Sequence, residues 1–159
     1  MLRTFAGIVT ILLTVGVYGS TDYQPTTFIK GTKLIGSLHQ NNEVEMFLGI
    51  PFAVPPINDL RWEKPVAWTP ENKKEITANK FRPGCIQNQR IVNWYKRLIL
   101  DFGGDPGTFD IPEFSEDCLY LNLWRPRGLK DNLPVIVYIH GGSNKAGWSY
   151  EPNYLGHNI

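Results

Sequence analysis

The run Val135-Ile136-Val137-Tyr138-Ile139, followed at once by His140-Gly141-Gly142-Ser143, restricts the fold of this chain more than any other stretch. An unbroken apolar segment rich in β-branched residues suits a strand covered on both faces, as in an α/β sheet. Strict alternation, the mark of a half-exposed strand, is missing. Paired glycines directly after such a strand let backbone N–H groups turn outward and approach a ligand closely. The segment therefore predicts a central strand of a mixed α/β domain, with a ligand-facing turn at its end.

The rest of the chain is long enough for one small domain of 159 residues. A hydrophobic content of 42% with a net charge of +1 describes an ordinary globular protein. It argues against disorder and against nucleic-acid binding driven by a basic surface. Residues 1–19 have a different character. Arg3 supplies a positive start, Phe5 to Val17 is apolar apart from Thr10, Thr14 and glycines, and Val17-Tyr18-Gly19 fits a cleavage site. The apolar run is short for a membrane span, which takes ~20 residues. A signal peptide cleaved after Gly19 is the expectation, with secretion of residues 20–159.

Secretion bears on Cys85 and Cys118, the two cysteines of the chain. An oxidising compartment favours their pairing over two free buried thiols. No Cys/His spacing suggests a metal site, nothing calls for a cofactor, and no Asn-x-Ser/Thr acceptor occurs.

In chain order, Thr27–Lys30, Lys33–Leu38 and Val44–Leu48, with turns at Gly31 and Asn41-Asn42, predict an antiparallel meander. Pro51, Pro55 and Pro56 hold the next segment extended. Trp62 and Trp68 follow and are expected to be buried, with Arg61 as an ion-pair partner for a buried carboxylate. Ile91, Trp94, Tyr95, Leu98, Ile99 and Phe102 recur at helical spacing up to Gly103-Gly104. Core packing is the expected role of that stripe; lining a substrate entrance is the sharper alternative. Leu119–Trp124 is a further strand, and Gly147–Pro152 an aromatic loop.

Several of these segments together resemble the N-terminal part of the type-B carboxylesterase/cholinesterase-like family. Glu116-Asp117-Cys118-Leu119-Tyr120-Leu121-Asn122 looks like its second signature. Phe47 to Ala53, Pro55-Pro56 and Leu60-Arg61-Trp62 resemble its proline-rich segment. His140-Gly141-Gly142 stands where the oxyanion loop is expected, comparable to the HGGG-type motif of lipases and esterases. The resemblance implies an incomplete α/β-hydrolase fold: the N-terminal meander plus the first central strands, Val135–Ile139 among them. It implies a Cys85–Cys118 disulfide and a structural ion pair between Arg61 and Glu116. It also implies oxyanion-hole N–H groups from Gly142 and Ser143, with Gly141 supporting the turn. A small-molecule ester is the implied substrate.

The departures from the family pattern are specific. Ser143 stands for the usual third glycine and narrows the acyl space, Asn144 for a frequent aromatic residue, and Asn58 for a glycine. Gly107-Thr108-Phe109 occupies the region of the choline-binding tryptophan, so no choline site is implied.

Catalysis in such a family takes a serine on a Gly-x-Ser-x-Gly elbow, then an acid, then a histidine. None is assignable here. Gly147-Trp148-Ser149-Tyr150-Glu151 lacks the second glycine, His39 comes too early, His140 belongs to the loop, and His157 has no evident partner. The nucleophile, acid and base are expected beyond Ile159, which makes this chain a truncated portion of an esterase, inactive alone. The alternative is a non-catalytic relative used for adhesion or ligand binding. Substrate identity is not readable: Trp94, Trp148 and Tyr150 imply only an apolar surface nearby.

Overall fold

The computed structural model describes residues 23–70, 74–129 and 132–158. Residues 1–19, read as a signal peptide, lie outside the described residues.

Strands β1 (Thr26–Ile29) and β2 (Thr32–Ile35) form a hairpin around Lys30-Gly31. Gly31 takes the positive φ that the tight turn requires. β3 (Ser37–Leu38) and β4 (Val44–Pro51) form a second antiparallel pair. The expected meander thus divides at Gly36. A Cβ at Gly36 would lie 2.4 Å from the Met46 carbonyl oxygen and 2.9 Å from the Phe47 ring. The chain crosses the core there, where only a glycine fits, and passes from one sheet to the next. β2 instead takes β5 (Glu75–Thr77) as a parallel neighbour, giving the order β1-β2-β5.

The second sheet has the order β3-β4-β8, with β8 spanning Tyr120–Pro126. β4 and β8 pair antiparallel from Val44↔Pro126 to Pro51↔Tyr120, with the register shifting between Phe47 and Ile50. Leu48 and Gly49 there oppose the single residue Asn122, which is the two-against-one count of a β-bulge. Gly49 has φ +73, and a Cβ on it would lie 2.4 Å from Arg82 and 2.7 Å from the Lys80 carbonyl oxygen. Leu34, Phe47, Ile50 and Ala78 make the core between the two sheets, with Ile29 and Ile76 packed against it. Glu45 is buried within β4, where Arg125, its cross-strand partner, balances its charge and the Tyr23 hydroxyl donates a hydrogen bond to it.

The disulfide region carries two two-residue strands, β6 (Gly84–Cys85) and β7 (Phe114–Ser115), paired in parallel. Helix α1 (Arg90–Asp101) lies between them in sequence. Its inward face is only partly the expected stripe: Tyr95 and, outside that stripe, Val92 are buried with Trp148, against Ile91, Phe109, Phe114 and Tyr150. Trp94 and Phe102 stay exposed.

Two expectations are corrected. Trp62 is 92% exposed, beside Arg61 rather than in a core. Pro55, Pro56 and the 3-10 turn Asn58–Leu60 carry this segment along the surface, so its indole meets no apolar layer. The expected central strand Val135–Ile139 is extended chain without a ladder, its residues between 51% and 85% exposed. A strand exists only through hydrogen bonds to a neighbour, and among the described residues none pairs with it.

Candidate functional site

The residues after Ile139 behave differently from the exposed run before them. Gly142, Ser143 and Asn144 have φ values of +119, +57 and +54. The turn closes on itself, with Lys145 N–H and Ala146 N–H both donating to the Gly142 carbonyl at 3.0 and 3.3 Å. A Cβ on Gly142 would lie 1.7 Å from the Ala146 carbonyl oxygen, so glycine is obligatory at that point. Ser143 and Asn144 are non-glycine residues in left-handed backbone, a conformation costing about 1–2 kcal/mol each and less for asparagine. The substitution of Ser143 for a glycine therefore falls on a position where glycine would be relaxed. Among the described residues, the N–H groups of Gly142, Ser143 and Asn144 donate to no protein acceptor. His140 turns back on the loop, its Nδ1 2.9 Å from the Gly141 carbonyl oxygen.

The loop is held from three directions, and the holding groups were not legible as such in the sequence. Gln87 follows Cys85 by two residues. Its Oε1 accepts from Gly147 N–H at 2.6 Å, and its Nε2 donates to the Gly147 carbonyl at 2.8 Å. Asn122 sits opposite the bulge; its Oδ1 accepts from Gly49 N–H at 2.9 Å and its Nδ2 donates to Ser149 Oγ at 2.9 Å. Glu151, buried beside Trp148, accepts from Tyr95 OH at 3.0 Å and from Trp148 N–H at 3.3 Å. Burial, and then the hydrogen bond to Glu151, push the Tyr95 hydroxyl well above its ordinary pKa, so it stays a donor. The aromatic loop Gly147–Pro152 is thus a keystone rather than a substrate surface: Trp148 is only 3% exposed and Tyr150 stacks on Phe81.

The other expected site residues are located as follows. Cys85 and Cys118 are joined in a disulfide closing 33 residues, worth roughly 3–4 kcal/mol on the chain-entropy argument. Arg61 Nε lies 2.5 Å from Glu116 Oε1, with more than half of the arginine side chain in solvent. A pair so exposed contributes about 0–1 kcal/mol, less than a buried carboxylate partner would. His39 and His157 stack with ring centroids 4.3 Å apart, a partner for His157 that the sequence did not reveal. Neither ring accompanies a serine in a nucleophile–base arrangement; Ser149 Oγ is engaged by Asn122. Among the described residues, no three of His, Cys, Asp and Glu gather in a way that could hold a metal ion. A polar cleft of about 380 Å³ is lined by Lys80, Arg82, Glu113, Ser115 and Asp117 among others. It contains no residue of the glycine loop.

A strand-like run into a His-Gly-Gly turn, a 33-residue disulfide loop and the Glu-Asp-Cys strand entry together match known proteins. The family model described as Carboxylesterase family matches residues 23–159. The chain belongs to the carboxylesterase family. It is 39% identical over 118 residues to fumonisin B1 esterase of Sphingopyxis macrogoltabida, covering 72% of this chain and 18% of that protein. It is 35% identical to carboxylesterase 1F of Mus musculus over 86% of this chain and 24% of the relative. Against lipase 2 of Geotrichum candidum the identity is 33%, over 85% and 26% of the two chains. The backbone superposes on a solved PNB esterase with a TM-score of 0.66 and 30% identity, covering 82% of this chain and 24% of that one. The carboxylesterase chain described here therefore carries part of an α/β-hydrolase fold, and it spans about a quarter or less of the length of these relatives.

Proposed function

We propose that this chain is the N-terminal portion of a secreted serine carboxylesterase and contributes its oxyanion hole. Residues 1–19 act as a signal peptide, residues 20–159 open the carboxylesterase domain, and Gly142 and Ser143 present the N–H groups that receive the oxyanion. Gly141 supports the turn. The observation that carries this reading is the glycine loop itself: successive positive φ angles keep N–H groups free of protein acceptors on a loop fixed from three sides.

On this reading, a serine outside these 159 residues attacks the ester carbonyl. A histidine base, also outside these residues, takes the serine proton as the carbonyl electrons move onto oxygen, which the two N–H groups stabilise. That proton passes to the departing alcohol as the acyl-enzyme forms, then water releases the acid. One oxyanion donor contributes about 10²–10³-fold to such a rate. With no nucleophile there is no tetrahedral intermediate, so the 159-residue chain turns over no ester. The disulfide supports an oxidising, extracellular setting.

Extending the transcript in the 3′ direction and assaying the purified product on a simple aryl ester tests this directly. A downstream Gly-x-Ser-x-Gly, followed by Glu or Asp and then His, with hydrolysis that the 159-residue chain lacks, is the expected result. Hydrolysis by the 159-residue chain would overturn the division of labour. A substituted serine would point instead to a non-catalytic adhesion or ligand-binding protein.

A further inference from the structure

We infer that Gln87 is a positioning residue for the oxyanion hole: its carboxamide fixes the Gly147 peptide unit, and through it the direction in which Gly142 and Ser143 point. The inference rests on the carboxylesterase reading above.

The turn from Gly142 to Ala146 is closed by its own hydrogen bonds, so it can move as a unit about its base. Gly147 is that base, with φ +108. Its α-carbon packs directly under the start of the loop. A Cβ added there would lie 2.6 Å from the Gly141 carbonyl oxygen and 2.7 Å from His140 Nδ1. Gly147 therefore packs closely against Gly141 and His140, so its placement bears on the start of the loop. Gln87 is placed to prevent that displacement. It engages both the N–H and the C=O of Gly147, as a neighbouring strand would, while Nε2 also donates to the Cys85 carbonyl at 3.1 Å. Both amide hydrogens and the carbonyl are thereby in use.

The clamp also has a fixed anchor. Gln87 is two residues from Cys85, which lies in β6, pairs with β7 and is covalently tied to Cys118. Asn122 and Glu151 hold the far side of the same keystone. Glu151 Oε1 also packs on Gly147, but the hydrogen bonds of the Gly147 N–H and C=O go to Gln87. The disulfide loop is thus more than a staple: it gives the oxyanion loop its reference point.

Two variants and two readouts test the assignment. Gln87→Leu keeps the volume and removes both hydrogen bonds; Gln87→Glu keeps an acceptor for Gly147 N–H but opposes the Gly147 carbonyl. In the 159-residue chain, hydrogen exchange of the Lys145, Ala146, Gly147 and Trp148 amides, the hydrogen-bonded N–H groups of the loop, should quicken by roughly tenfold or more in Gln87→Leu. The β8 amides should be unchanged, and Gln87→Glu should fall between the two. In the chain extended through its nucleophile, kcat should fall by roughly 10–100-fold. KM should stay nearly constant, and affinity for a trifluoromethyl ketone, which imitates the tetrahedral intermediate, should fall by the same factor as kcat. Unchanged exchange at those four amides overturns the clamp. So does unchanged kcat, or a rise in KM alone. If the extended chain with native Gln87 hydrolyses no ester, the carboxylesterase reading fails, and the exchange measurement decides the clamp by itself.

Discussion

Tyr120–Pro126 and Val135–Ile139 are both apolar, β-rich runs, and both invite assignment as strands. Their fates differ. β8 pairs with β4 from Tyr120 to Pro126 and helps to close a core in which Phe47 is fully buried. Residues 135–139 carry the stronger apolar pattern, yet Val135 and Ile139 are 84% and 85% exposed. Composition gives a segment a preference for burial, but a strand is a pairwise object, and its ladder belongs as much to the neighbour as to itself. The loop after residue 139 makes the same point from the other side. It is held, although the run that leads into it is not, because its anchors arrive from earlier segments: Gln87, Tyr95 and Asn122.

The contrast can be tested at four places. Phe47→Ala removes a fully buried ring from the sheet core and should lower stability by about 3–5 kcal/mol in a denaturant titration. A cost below about 1 kcal/mol would mean that the β4–β8 region is no better packed than the exposed run. Arg125→Met strips Glu45 of its cross-strand partner while leaving Tyr23. About 1–3 kcal/mol is expected, because the glutamate stays buried but the arginine it loses is partly solvated. Val137→Ser should change stability by less than about 0.5 kcal/mol in this chain, since the side chain already faces water. A loss rivalling that of Phe47→Ala would show that residues 135–139 do find a partner in solution.

The smallest effect concerns the stacked histidines near β8. Burial first, and His39 second, lower the His157 pKa from its ordinary value of 6.5. The folded state therefore takes up the proton less readily than the unfolded one. Stability is complete above about pH 6.5 and declines as pH falls below it, by an amount that partial solvation of the ring keeps small. Melting curves of the native chain and of His157→Asn between pH 5 and pH 7.5 should converge at the upper end, with the native chain losing more on acidification.

Much of this was legible from residues alone. The amphipathic helix, the strand after Cys118 and the glycine-rich turn follow from periodicity and turn chemistry, both local properties. Three things were not. The meander divides at Gly36 because Met46 and Phe47 leave no room for a Cβ, a close approach between residues ten apart. Trp62 is hydrophobic in any scale but faces water, since a surface path offers it nothing to pack on. Ser149, conspicuous in a search for a nucleophile, proves to be an acceptor for Asn122 across 27 residues.

The sequence by itself determined the local vocabulary of this carboxylesterase chain: which segments extend, which one coils, where backbone must turn through positive φ, and which motifs resemble those of the family. Those traits depend on residues within a few positions of one another. Only the tertiary structure decided which extended segments become strands, and that Gln87, two residues from Cys85, hydrogen-bonds Gly147 at the foot of the glycine loop. Such choices depend on distances between residues 27 to 82 apart in the chain, and no local pattern encodes them.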